Sequence, residues 1–459
     1  MTSSQSSAVT SSGSSSVSSS SQSQSSSQSA SSGSGTLNHA GFRSIPSIGG
    51  FGTEWVNGET RLVKDNNVAG SGDLFGFVWT DSGPMTLIVS TDNGITWSNV
   101  ASRSTSVNKV IALTQDSTGA VHAIAYANVS DSGYYLRINL SYTNRHISGF
   151  AFATSNPLQL PNHNRVGTEL RADIKVIKDN SGSELLAYAI NMPTINNFPV
   201  RDIKVYMARA KSLTPSAAVD FVGIDGTGLD TKVFDSCTFP GACNNTTGFS
   251  THLHTALFAQ NRASGDLYLF QGPIDGDYGA LYNDASTNVL YVMRLVAGVA
   301  KWTPGTVSVV SSNTHNNVSP ELMSVASGSS YAWVMYVDPL NGIRFGRIDA
   351  GGSYNESAVG SPYQVQDRNG WGVFTVSPDD SKIWAIWDTL DKTGGTANAA
   401  QGYWDGSSWT TFSDAAASNS MGMAGTSGWT TGVGALLFNG NVQSQTYRQP
   451  TAATIWTSP

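Results

Sequence analysis

Apolar residues recur along this chain in short runs separated by polar turns rich in Asp, Asn and Gly, and the runs come in groups of three. One group reads Val110-Ile111-Ala112-Leu113 to Asp116, then Ala120 to Tyr126, then Tyr134 to Tyr142. The pattern returns at Ile174 to Lys178, Glu184 to Ile190 and Ile203 to Ala208, and again at Thr255 to Ala259, Asp266 to Phe270 and Val289 to Leu295. Further groups begin at Leu322, Tyr331 and Ile343, and at Val373, Lys382 and Gln401. The first group holds Arg61 to Asp65, Asp73 to Thr80, Met85 to Ser90 and Trp97, and a weaker last one spans Gly425 to Trp456. Runs of this length, bounded by turn formers, predict strands, and no stretch carries helical spacing. Seven groups of three or four strands predict an all-β chain folded as a seven-bladed β-propeller, with six or eight blades as the alternatives. Radial repetition also leaves few exposed sheet edges. Trp97, Trp302, Trp409 and Trp456 close their groups and are expected on outer fourth strands. Phe42 to Ile48 is expected to give a strand to the last blade and close the ring.

Composition changes this picture at one end. Residues 1–38 are nearly all Ser, Gln, Gly, Ala and Thr, which leaves them no apolar surface to bury. They are expected to form a disordered linker, with the propeller occupying residues 39–459. Met1 running straight into such a stretch suggests a fragment of a longer protein, joined through the linker to other modules. No charged and apolar leader pattern is present, and no apolar run approaches the ~20 residues that span a membrane. Only 12% of the 459 residues are charged and the net charge is −7, which argues against nucleic acid as a partner. The two cysteines, Cys237 and Cys243, flank Pro240-Gly241, and a local disulfide in an exported, secreted or cell-surface protein is expected. A monomer is expected.

One stretch gives the repeat its register. Ser90-Thr91-Asp92-Asn93-Gly94-Ile95-Thr96-Trp97 reads as a hairpin: Asp92 and Asn93 can bond their own backbone, Gly94 supplies a positive φ, and Thr96 and Trp97 suit a half-buried strand. It resembles the Asp-box, the Ser-x-Asp-x-Gly-x-Thr-Trp hairpin of sialidase-type β-propellers. The resemblance covers eight residues and implies a propeller fold, with Asp92, Gly94 and Trp97 in structural roles. The polyserine stretch is similar to linkers of secreted bacterial proteins that degrade polysaccharides.

In a propeller the segments that precede the inner strands surround one mouth of the central channel. In this register they carry His163, Arg165, Glu169 and Arg171, then His252 and His254, then His315 and Glu321, then Arg368 and Trp371. The segments between second and third strands open on the same face and add Asp275, Asp277 and Tyr278 among others. Four of the seven histidines therefore fall on the expected mouth. Imidazole exchanges protons near neutral pH, and arginine holds carboxylates. The blades are strongly diverged, which favours one asymmetric site over a repeated sugar pocket.

Sialidases use a Phe/Tyr-Arg-Ile-Pro motif, an arginine triad, an Asp and a Tyr–Glu pair. This chain has Phe42-Arg43-Ser44-Ile45-Pro46, interrupted by Ser44, with Arg171, Arg294, Arg344 and Arg368 available for a triad. The register also places an additional strand between Arg61 and the hairpin, a departure from that family. Propeller polysaccharide lyases, such as those acting on ulvan, are similar in having His, Tyr and Arg at the mouth. In β-elimination a base removes the proton α to a uronate carboxylate, an acid protonates the leaving oxygen and a cation neutralises the carboxylate. His254 as base, Tyr278 as acid and Arg171 with Arg165 on the carboxylate would fill those roles. His163, His252, His315, Glu321, Arg368, Trp371 and Asp275 would line the substrate. The expectation is a protein that acts on a polysaccharide or oligosaccharide, leaning to lyase chemistry. The alternatives are a carboxylate-based glycosidase, to which Glu169, Glu321, Asp275 and Asp277 are available, or a non-catalytic carbohydrate-binding module. No cofactor is expected; Asp275-Gly276-Asp277 offers carboxylates to calcium, although such a triplet is more often a turn.

Overall fold

The computed structural model describes residues 40–45, 57–79, 83–92, 96–127, 130–153, 157–160, 171–193, 203–235, 255–272, 290–312, 321–338, 341–359, 370–389, 398–414, 420–427, 434–440 and 450–457. The described residues are strands and turns, with a single 3-10 turn at Ala218–Asp220. Strand β1 (Ala40–Ile45) comes first in the chain and last in the fold. Blade 1 is β2 (Asn57–Lys64), β3 (Leu74–Val78), β4 (Met85–Ser90) and β5 (Ser98–Arg103). Blade 2 is β6 (Val107–Gln115), β7 (Val121–Ala127) and β8 (Ser130–Thr143), with β9 (His146–Phe152) and β10 (Leu158–Gln159) sharing the outer edge of β8. Blade 3 is β11 (Arg171–Lys178), β12 (Glu184–Pro193) and β13 (Ile203–Ala210), its outer edge again shared, by β14 (Phe221–Gly223) and β15 (Thr231–Asp235).

Blade 4 is β16 (Thr255–Gln260), β17 (Leu267–Gly272), β18 (Leu290–Ala297) and β19 (Trp302–Ser311). Blade 5 is β20 (Glu321–Ser327), β21 (Ala332–Asp338), β22 (Gly342–Ile348) and β23 (Tyr354–Ala358). Blade 6 is β24 (Gly370–Val376), β25 (Ile383–Thr389), β26 (Asn398–Trp404) and β27 (Trp409–Asp414). Blade 7 is β28 (Ser420–Ser427), β29 (Gly434–Gly440) and β30 (Pro450–Thr457), completed by β1. The chain is thus a seven-bladed β-propeller, closed by an N-terminal strand as the sequence predicts.

Strand alternation builds the core. The second strands of blades 1 to 6 are buried on both faces, which is why they read as unbroken apolar runs. In β12, Leu186, Tyr188 and Ile190 pack toward blade 2, and Leu185, Ala187 and Ala189 pack toward blade 4. In β21, Trp333, Met335 and Val337 face blade 6, and Ala332, Val334 and Tyr336 face blade 4. Five apolar seams of this kind join blades 1 through 6. Fourth strands such as β5 and β23 are mostly exposed.

Polar side chains stitch the seams where backbone groups of an inner strand lack a neighbouring strand. Gln115, at the end of β6, accepts from Asn66 N at 2.8 Å and donates to Asp65 Oδ1 at 2.8 Å. Gln260, at the equivalent end of β16, accepts from Lys178 N at 3.0 Å and donates to Lys178 O at 2.6 Å. Both side chains also reach the carbonyl of a glycine in their own turn, Gly119 and Gly265, at 3.1 and 2.9 Å.

One expectation is corrected. Trp456 lies on β30, the third strand of its blade, because β1 takes the fourth position. Arg43, of the interrupted Phe42-Arg43-Ser44-Ile45-Pro46 motif, lies on β1 opposite Ile455, on the outer edge of blade 7. The additional strand between Arg61 and the Ser90 hairpin is present as β3.

Candidate functional site

The seven inner strands start at one rim of the ring and end at the other. At the rim where they end, the described turns are tight, such as 116–120, 179–183 and 328–331. At the rim where they start, the segments between strands are longest, above all 236–254 and 273–289, both bordering blade 4. Tight turns serve the scaffold, and long connections on a rigid scaffold are where binding and catalysis concentrate.

The register places three expected residues at that rim. Arg171 is the first residue of β11, opposite Asn191. Glu321 is the first of β20, opposite Val337, and Trp371 is the second of β24, opposite Asp388. They therefore head the inner strands of three different blades. His163, Arg165, His252, His254, Asp275, Tyr278, His315 and Arg368 lie outside the described residues, as do Gly94, Cys237 and Cys243. His254 directly precedes Thr255, the first residue of β16.

The Ser90 hairpin joins β4 to β5 at the opposite rim. Asp92 Oδ1 accepts from Ser90 Oγ and Thr96 N at 2.8 Å each, and Oδ2 accepts from Thr96 Oγ1 at 2.6 Å. Partial burial works against the ionised form here, yet these bonds outweigh it and hold the carboxyl below its ordinary range. Its role is to lock a turn.

Between blades 3 and 4 the apolar seam holds one buried carboxylate near the start of β11. Asp173 on β11 is fully buried, and its Oδ2 accepts from Phe258 N at 3.1 Å across the seam. The same oxygen pairs with Lys175, whose ammonium lies 4.9 Å from the Phe258 ring centroid. Tyr291 on β18 shares this seam, where burial pushes its phenol up to about 12.

Other titratable groups have structural partners that the sequence did not reveal. His122 is fully buried; its Nε2 lies 2.9 Å from Asp116 Oδ2 and its Nδ1 lies 2.7 Å from the Tyr135 hydroxyl. Ser71, Asp73 and His146 form a Ser–His–Asp cluster, but both partners meet the same ring nitrogen, Nδ1, at 2.9 Å. A proton relay needs the two partners on different nitrogens, so this cluster only ties blade 1 to blade 2. Arg294 is bound to Asp266 through Nε at 2.8 Å and Nη2 at 2.6 Å. Arg344 pairs with Glu356 at 3.3 Å, and Glu356 in turn accepts from Tyr336 and Tyr354. Arg294 also donates from Nη1 to Gly351 O of blade 5 at 3.4 Å, whereas Arg344 is held within its own blade. Among the described residues no group of three or more His, Cys, Asp or Glu is arranged to hold a metal ion.

No family model and no curated protein sequence matches the chain. Among solved structures it is similar to a lectin from Burkholderia pseudomallei, at 10% identity and a TM-score of 0.48, over 86% of this chain and 99% of that one. It is similar to an alpha-L-arabinofuranosidase from Fusarium graminearum in complex with an iminosugar inhibitor, at 10% identity and a TM-score of 0.42, over 78% and 98% of the two chains. It is also similar to a polysaccharide lyase, an ulvan lyase bound to GlcA(1-4)Rha3S, at 10% identity and a TM-score of 0.35, over 86% and 78%. These are likenesses of fold.

Proposed function

We propose that this chain is a carbohydrate-active propeller that cleaves a uronate-containing polysaccharide by β-elimination at the rim where the inner strands start. The observation that carries the reading is the register: Arg171, Glu321 and Trp371 head three inner strands on the rim bounded by the longest segments. The similar solved structures include a lyase, a glycosidase and a lectin.

In this reading His254 removes the proton α to the carboxylate, leaving charge that Arg171, with Arg165, stabilises on the carboxylate oxygens. Tyr278 then gives its proton to the departing glycosidic oxygen, so one proton is taken, one is returned, and the product carries a new carbon–carbon double bond. His163, His252, His315, Arg368, Trp371 and Asp275 hold the flanking sugars. The Ser-rich residues 1–38 act as a linker, and the protein works outside the cell.

Incubation with acidic algal and plant polysaccharides should raise ultraviolet absorbance as unsaturated uronate forms. Arg171→Ala should lower that rate about 100-fold or more. No rise with any uronate polymer, with binding retained, sinks the elimination. The position of Glu321 favours a second reading, hydrolysis by paired carboxylates, which would release reducing ends with no absorbance change.

A further inference from the structure

Three arginines of blades 4 and 5 differ in what holds them. Arg294 and Arg344 are paired with carboxylates, those of Asp266 and Glu356. Arg347, the penultimate residue of β22, is held by aromatic rings instead. Its Cζ lies 5.0 Å from the ring centroid of Tyr331, 5.9 Å from that of Trp333 and 5.8 Å from that of Trp404. Among the described residues no ion pair involves Arg347. The difference matters because a carboxylate uses the N–H groups of a guanidinium, whereas rings engage its faces and leave those in-plane donors available.

The cluster sits in the seam between blades 5 and 6, at the rim where the inner strands end. Tyr331 directly precedes β21, and Trp404 is the last residue of β26. Tyr331, Arg347 and Trp404 are each partly exposed, so solvent reaches the group, while Trp333 is buried. The rings are fixed in place. Trp333 Nε1 donates to Asp380 Oδ1 at 3.0 Å, and Trp333 meets Tyr331 and Trp404 edge to face, with centroids 5.4 and 5.7 Å away. The carboxylates on this part of the rim have other partners. Asp380 also accepts from Ser329 Oγ and Ser330 N, and Asp405 accepts from Ser407 and Ser408 in its own turn.

We infer that Arg347, with Tyr331 and Trp404, is a second saccharide site, which anchors an oxyanion-bearing sugar on the rim opposite the proposed mouth. A guanidinium whose faces are covered by rings binds in its own plane, and its fork of donors suits two oxygens of one carboxylate or sulfate ester. The exposed parts of Tyr331 and Trp404 give the C–H face of the same sugar an apolar surface beside the fork. The site holds polymer and takes no part in bond cleavage. The inference rests on the reading that an acidic polysaccharide is the ligand, and is independent of whether that polysaccharide is cleaved.

The test starts with the wild type, so folding of a variant does not limit it. Phenylglyoxal modification of Arg347, followed by peptide mass mapping, should slow about tenfold when oligogalacturonate or sulfated dextran oligomer is present at about ten times its Kd. Neutral dextran oligomer should leave the rate unchanged. Protection by oligogalacturonate assigns a carboxylate and protection by sulfated dextran a sulfate ester, and either supports the site. No protection by either, or equal protection by the neutral oligomer, overturns it. Arg347→Lys keeps the charge and loses the fork, so its retention in gels containing the protecting polymer should weaken about tenfold. Its elimination rate on a short uronate oligosaccharide should match the wild type. Unchanged retention with unchanged elimination overturns the inference and leaves the proposed function standing. Protection of Arg347 with no rise in ultraviolet absorbance keeps the inference and removes the elimination.

Discussion

Asp116 uses both carboxylate oxygens inside one blade. Oδ1 accepts from Thr118 N, Thr118 Oγ1 and Ala120 N at 2.6 to 3.0 Å, closing the turn between β6 and β7, and Oδ2 faces His122 Nε2. The other ring nitrogen, Nδ1, lies against the Tyr135 hydroxyl, whose phenol burial pushes well above its ordinary range. Burial also opposes ionisation of Asp116, but the bonds from His122 and Thr118 win and bring its pKa down to about 2. The folded carboxyl is thus more acidic than the unfolded one at ~3.9, so its stabilisation is complete above about pH 4 and is lost as pH falls toward 2. Asp116→Asn should lower urea-unfolding stability by about 2 kcal/mol at neutral pH, and the gap to wild type should close on acidification through that window. A gap that stays constant from pH 6 to 2.5 would mean the carboxylate charge contributes nothing.

At the scale of single elements, the Ser90 hairpin and the Gln260 clamp make different demands on the sequence. Asp92 bonds only residues within its own turn, and Asp92→Ala should cost about 1–2 kcal/mol, read as a shift in the denaturation midpoint with an unchanged slope. Gln260 bonds a strand of another blade. Gln260→Leu would strand Lys178 N, Lys178 O and Gly265 O in a buried seam, and should cost about 2–4 kcal/mol. If Gln260→Leu costs no more than Asp92→Ala, the clamp is redundant with apolar packing in the seam. Locality also decides what was legible beforehand. The Asp92 turn could be read because its partners lie within a few residues. His122 could not, since Tyr135 comes from another strand and Asp116 from across a turn. Gln115 and Gln260 look like ordinary strand-end residues until the ring sets each against the preceding blade. The mouth was legible only through register: Arg171, Glu321 and Trp371 lie where the repeat puts them.

At the scale of the molecule, a ring built from repeats must join its first and last members, and this chain does so twice. β2 runs parallel to β28 on the inner edge of blade 7, and β1 runs antiparallel to β30 on the outer edge, with Ser44 opposite Thr454 and Ile45 opposite Ala453. The N-terminal segment thus grips both sides of the last blade. That arrangement also explains why Trp456, read as an outer-strand residue from its place at the end of a group, belongs to a third strand instead. Removing β1 would leave blade 7 with three strands and expose the edge of β30. Each backbone bond lost there carries about 1 kcal/mol, so a chain starting at residue 47 should melt about 5–10 °C lower, with a broader transition as blade 7 loosens first. A chain starting at residue 39 keeps β1 and should melt with the full-length protein. Scanning calorimetry on the two truncations separates closure by β1 from any contribution of the Ser-rich residues before it. Equal melting temperatures for the two would show that the inner contact between β2 and β28 closes the ring unaided.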